Sequence, residues 1–134
     1  MKIREYKDSD ELDVINLINK AFDKKYSNIG KSNNIDSFVV EEDNKIIGYM
    51  DITYDDDIIS NKKYAVFNYI CIDSDYSGRG FGRDLVNYGI NVCVEKNINY
   101  IRLTSRNKRV KAIKLYESVG FEKVDTNVFE RVIV

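Results

Sequence analysis

The 134-residue sequence contains no histidine, no proline, no tryptophan and only two cysteines. Without histidine it lacks the usual general base near neutral pH, and a serine or cysteine nucleophile would have no imidazole to activate it. Any reaction here must draw on carboxylate, tyrosine, lysine, main-chain groups or water. Cys71 and Cys93 flank a glycine-rich turn without zinc-ligand spacing, so no metal site is expected. Without proline, turns fall to glycine, asparagine and aspartate. Long apolar runs are missing too: nothing approaches the roughly eighteen apolar residues of a membrane helix, and the charged opening MKIREYKDSDELDV has no signal-peptide core. A cytoplasmic protein without a membrane partner is expected. Twenty-one Lys and Arg against 22 Asp and Glu give a net charge of −1, which lacks the broad positive field of a nucleic-acid binder.

What is present reads as a globular protein. Hydrophobic residues make up 43% and charged residues 32%, and the length suits a single domain over 1–134. KIREY predicts a first strand, and Asp8 or Ser9 is placed to cap a helix carrying Val14, Leu17, Ile18, Ala21 and Phe22 at helical spacing. SFVVEEDNKIIGYMDITY predicts a hairpin turning at Asp43 and Asn44. YAVFNYICI, apolar on both faces except at Asn68, predicts a central strand on which Asn68 shares a face with Val66, Ile70 and Ile72. A helix with Phe81, Leu85, Val86, Gly89 and Cys93 follows, then a strand at YIRLT, a helix with Ala112, Ile113, Tyr116 and Val119, and a last strand at VFERVIV.

Three of the seven glycines stand together, in YICIDSDYSGRGFGRDL. A buried strand, a glycine turn and a helix start point several main-chain N–H groups at one spot, which favours an anion. Glycine lets the backbone approach a phosphate closely, and Arg79 and Arg83 add positive charge. The spacing Gly78, Gly80, Gly82 fits neither the dinucleotide fingerprint nor a P-loop. A ligand-free strand-to-helix connection is the plain alternative.

SGRGFG resembles the acyl-coenzyme A loop of the GNAT N-acetyltransferase superfamily, whose pattern is Gln or Arg, two residues, Gly, one residue, then Gly or Ala. Ser77 stands here where the family usually has Gln or Arg. KAIKLYESVGFEKV is similar to the family's later helix and strand, with Ala112, Tyr116, Gly120 and Phe121 at the matching spacing. The resemblance implies an α/β (α+β) fold with a mixed, mostly antiparallel central sheet flanked by helices. It implies transfer of an acetyl group from acetyl-CoA to a primary amine by direct attack.

It also implies roles for particular residues. The main-chain amides of Ser77, Gly78, Arg79, Gly80, Phe81, Gly82 and Arg83 would hold the pyrophosphate, and the backbone of Ile70, Cys71 and Ile72 would hold the pantetheine arm. Tyr116 would protonate the departing thiolate. Asn68 falls where the family often has a glutamate; it is either a hydrogen-bonded structural residue or a group that orients water or the amine. The base is then a chain of waters or a carboxylate such as Asp51. Asn107 either bonds pantetheine or caps a helix, and Arg109 either meets cofactor phosphate or is a solvated basic residue. Cys71 and Cys93 read as core rather than nucleophiles. Asp55 to Asp57 would attract a cationic amine, or form a solvated turn. Two rivals remain, a non-catalytic acyl-CoA-binding or regulatory module of the same fold and a phosphate- or nucleotide-binding domain. The acceptor is unnamed by the sequence, and a homodimer stays open.

Overall fold

The computed structural model describes residues 1–134. Five strands, β1 (Lys2–Glu5), β2 (Ile35–Glu42), β3 (Lys45–Asp57), β4 (Lys62–Ile72) and β5 (Ile101–Arg102), form one sheet in chain order. All neighbours are antiparallel except β4 and β5, which are parallel. Helices α1 (Glu11–Phe22), α2 (Phe81–Glu95) and α3 (Val110–Ser118) flank it. This is the mixed, mostly antiparallel sheet with flanking helices that the resemblance implies.

The β2–β3 turn behaves as its residues predict: Asp43 and Asn44 take φ of 52° and 59°, the left-handed pair a two-residue hairpin needs. The start of α1 differs. Asp8 and Ser9 fall in a 3₁₀ turn over Asp8–Asp10, and Asp10 carries the contact instead, its Oδ2 accepting the Lys7 N–H at 2.9 Å. Asp10 is bonded there because Arg4 clasps it with two bonds of 2.8 and 3.0 Å while reaching Glu41 at 3.1 Å. One guanidinium thus ties β1, the entry to α1 and β2.

Two cores lie on opposite faces of the sheet. Val14, Leu17 and Ile18 of α1 pack on Val39, Tyr49 and Cys71. Leu85, Val86 and Cys93 of α2 pack on Phe38, Met50, Ile52, Ala65, Phe67 and Ile70, with Tyr116 of α3 in the same cluster.

Face assignment on β4 departs from simple alternation. Asn68 pairs with Asp51 and Cys71 with Tyr49, so Tyr69 and Ile70 together oppose the single residue Met50. This is a β-bulge, and Tyr69 takes a φ of 53° to make it. The extra residue reverses the parity of the strand beyond it. Ile70 therefore joins Phe67 on the α2 face, and Cys71 falls on the α1 face. Asn68 consequently does not share a face with Ile70 and Ile72.

The end of the sheet is also shorter than YIRLT predicts. Parallel pairing covers only Ala65↔Ile101 and Val66↔Arg102, after which β4 continues to Ile72 without β5 beside it. The last predicted strand, VFERVIV, is not formed. A strand needs a neighbour to receive its peptide groups, and the one main-chain bond within 122–134 runs from Thr126 N–H to Val124 O at 3.0 Å.

Candidate functional site

The glycine turn links β4 to α2 through a 3₁₀ turn over Ser74–Tyr76. Ser77 spends its N–H on Ser74 O at 3.2 Å. Gly78 and Gly80 then take φ of 79° and 83°, which only glycine adopts without strain, and Gly80 is the residue that opens α2. The first helical bond is Asp84 N–H to Gly80 O at 3.0 Å. The six N–H groups of Gly78 through Arg83 donate to nothing within the chain. They lie at the positive end of a 15-residue helix, an arrangement suited to a phosphate group.

The surrounding side chains frame the turn. Arg79 lies over the Tyr76 ring at 5.1 Å, and Phe81 packs toward the core beside Tyr76. Arg83 points elsewhere than the turn mouth, its guanidinium donating to Ser118 Oγ of α3 at 2.9 Å. Gly82 admits α3 closely: a Cβ there would sit 3.1 Å from Leu115.

Beside the turn, β4 and β5 part. Asp73 N–H donates to Ile47 O at 2.7 Å on the β3 side, so strand alternation turns the main-chain groups of Ile72 to the opposite, unpaired edge. Tyr116 of α3, 7% exposed, packs in the main core with Ile70. Burial pushes its pKa above the ordinary phenol value, Arg109 pulls it back and Cys71 adds to the rise, so the phenol stays protonated through neutral pH. Cys71 is pushed up to about 12 by burial, which leaves its thiol protonated and inert. Arg109 precedes α3 and holds its guanidinium 4.8 Å from the Phe22 ring of α1. Asn107 lies in the exposed turn two residues before the cap position that Arg109 occupies, too early to cap, and its side chain bonds nothing in the chain.

On the α1 side, Asn68 Nδ2 donates to Asp51 Oδ1 and to Thr53 Oγ1, both at 2.9 Å, and Tyr49 Oη donates to Asp51 Oδ2 at 2.8 Å. Burial raises the Asp51 pKa, and these two donors hold it partly down. Three rings meet at Tyr69, whose phenol feels the charge of Asp51. Tyr69 meets Phe22 and Tyr26 edge-on at 5.4 and 6.2 Å, and the Tyr26 and Tyr69 hydroxyls are 3.2 Å apart. No local sequence pattern announces this trio, because Tyr69 enters it through the bulge. An aspartate inside the apolar run YMDI was the one visible sign of the polar cluster. Asp55 to Asp57 lie at the far end of β3, exposed at Asp55 through Asp57, with Asp56 paired to Lys63 at 3.1 Å.

The sheet thus parts at one end beside a glycine turn whose N–H groups are unspent. Residues 5–121 match the model of the acetyltransferase (GNAT) family, and the chain belongs to that family. It is similar to human N-acetyltransferase 8B, 25% identical over 93 residues that make up 69% of this chain and 40% of that protein. It therefore spans well under half the length of that relative. An aminoglycoside acetyltransferase from an uncultured soil metagenomic sample, solved with trehalose, superposes with a TM-score of 0.85 at 20% identity, over 99% of this chain and 95% of that one. A predicted acetyltransferase of Clostridium acetobutylicum, solved with acetyl-CoA, gives a TM-score of 0.78 at 17% identity, over 97% and 95% of the two chains. At these identities the two solved structures establish the fold. No helix is long and apolar enough to cross a membrane.

Proposed function

We propose that residues 1–134 act as one acetyl-CoA-dependent N-acetyltransferase domain. The observation that carries this reading is the pairing of six unspent N–H groups at the start of α2 with an unpaired β4 edge beside them. The amides of Gly78 to Arg83 take the pyrophosphate, and the main-chain groups of Ile70 and Ile72 take the pantetheine as an added strand. Ser77 contributes its position rather than its N–H, which the 3₁₀ turn uses. Arg109, whose charge lowers the Tyr116 pKa, is the further cofactor-side candidate.

The chemistry assigns each proton. Asp51, oriented by Asn68 and Tyr49, takes a proton from the acceptor ammonium. The freed amine attacks the thioester carbonyl carbon, the carbon–sulfur bond breaks from the tetrahedral intermediate as Tyr116 gives its proton to the departing thiolate, and the surplus proton on the new amide nitrogen passes through water to the Tyr116 phenolate. The ring trio of Phe22, Tyr26 and Tyr69, with Tyr69 near enough to feel the Asp51 charge, suits an acceptor that arrives as a cation.

The test is release of free thiol from acetyl-CoA across a panel of polyamines, aminosugars and lysine peptides. At least one amine should accelerate release, and Tyr116→Phe should cut kcat by about 10²-fold or more with little change in KM for the thioester. Binding of acetyl-CoA without turnover on any amine would leave an acyl-CoA-binding module. Unchanged kcat in Tyr116→Phe would remove the acid role.

A further inference from the structure

The entry to α3 and the end of α1 touch, although the two helices cover opposite faces of the sheet. Leu115 and Tyr116 of α3 pack with α2 in the main core, whereas Phe22 closes α1 and packs in the cluster on the other face. Arg109, the residue before α3, nevertheless holds its guanidinium 4.8 Å from the centre of the Phe22 ring. No carboxylate pairs with that guanidinium. Arg109 is half-buried, and its seat is a ring rather than an anion.

The sheet allows this contact at one place. β5 accompanies β4 only through Ala65↔Ile101 and Val66↔Arg102, so from Phe67 to Ile72 the edge of β4 is open. Phe22 lies at that level, because its ring meets Tyr69 edge-on at 5.4 Å. A side chain that begins at the entry to α3 and ends on Phe22 therefore passes the open edge of β4. Its charge is felt on both faces from there, lowering the pKa of Cys71 on the α1 side and of Tyr116 on the other. A strand added to β4 runs about 4.8 Å from it, in the space the guanidinium crosses.

We infer that Arg109 and Phe22 form a latch across the slot for the pantetheine arm, closed in the empty protein and opened when acetyl-CoA takes its place. The identity of the ligand rests on the acetyl-CoA reading above; the latch itself rests on the Arg109–Phe22 contact. A guanidinium over a ring is held weakly enough to leave and strongly enough to keep the slot closed for part of the time. Since the open fraction alone binds, the association rate and the apparent affinity both fall in proportion to it. Arg109 thus opposes binding while it sits on Phe22, the reverse of what a phosphate ligand does.

Two variants open the latch from either side. Phe22→Leu removes the seat and leaves the arginine, and Arg109→Met removes the charge and keeps an unbranched side chain. In stopped-flow mixing with acetyl-CoA alone, each should raise the association rate constant by about fivefold and leave the dissociation rate unchanged, with far-UV circular dichroism matching the parent. The closed state is also readable without ligand. The Nε–H resonance of Arg109, assigned by its loss in Arg109→Met, should be displaced by the Phe22 ring current in the empty parent. It should return to the ordinary arginine position in Phe22→Leu and in the parent saturated with acetyl-CoA. Slower association or faster dissociation in Arg109→Met would make Arg109 a ligand of the cofactor and overturn the latch, as would a resonance that saturation leaves displaced; the acetyl-CoA reading survives both results. No binding of acetyl-CoA by the parent or either variant would overturn that reading and the latch together.

Discussion

Asp51 and Asn68 show how one side chain's setting decides its chemistry. The Asp51 carboxyl lies in a strand interior where burial favours its neutral form, and only Tyr49 and Asn68 supply compensating bonds. Two pH effects of known sign follow. The folded state holds this proton more tightly than the unfolded chain does, so the stabilisation is present at low pH and fades as pH rises through the raised folded pKa. As a base, Asp51 works only when ionised, so the acetylation rate should climb through that same range, above ordinary carboxylate values. Asp51→Asn should abolish that limb of a kcat/KM–pH profile; a profile that keeps it in the variant assigns the base elsewhere. Asp10 has the opposite sign. The Arg4 guanidinium holds its pKa below the usual carboxylate range, against the opposing effect of burial, so its stabilisation persists at neutral pH and is lost as pH falls through the depressed value. Asp10→Ala leaves Arg4 largely buried with Glu41 alone and should cost about 3 kcal/mol in urea unfolding. The buried place of Tyr116 was legible in the sequence because Ala112 and Tyr116 fall on one face of a helix. The Asp51–Asn68 bond was not, since it joins residues 17 apart in sequence through a register that no local pattern announces.

At the scale of elements, the glycine turn was the most readable part. Its conformation follows from composition alone, because three glycines in alternate positions leave few other uses for them. Gly80 offers a direct test: nothing lies within 4 Å of a Cβ built there, so substitution meets only the backbone cost of its φ of 83°. Gly80→Ala should cost about 1 kcal/mol of stability and weaken coenzyme A binding by about tenfold as the N–H groups lose their arrangement. Gly30→Ala, also free of neighbours within 4 Å and without a positive φ, serves as the control that leaves titration calorimetry unchanged. The far edge of the sheet was the least readable. YIRLT and VFERVIV both carry strand composition, but composition specifies a propensity and not a neighbour. Ile101 and Arg102 have β4 to pair with and form; the remainder has no partner within the chain.

At the scale of the whole molecule, the site is assembled from parts distant in sequence. Phe22 and Asp51 come from α1 and β3, the turn from the middle of the chain, Arg109 from the residue before α3 and Tyr116 from α3 itself. A ligand that touches several of them should stabilise the fold as a unit. Acetyl-CoA at 100 times its Kd should add about 2.7 kcal/mol and raise Tm by several degrees, while ATP and GTP should leave it unmoved. A shift with the nucleotides and none with acetyl-CoA would favour the nucleotide-binding alternative.

The extra residue in β4 has a consequence for how this chain tolerates change. Everything downstream of Tyr69 keeps its side because the strand counts one position more than its neighbour, much as a message depends on its frame. Replacing Tyr69 with another residue leaves the count intact, whereas excising it would send Ile70 and Cys71 to each other's layers and swing the glycine turn to the wrong side of the sheet. The number of residues in this strand, more than their identity, holds the glycine turn where it is.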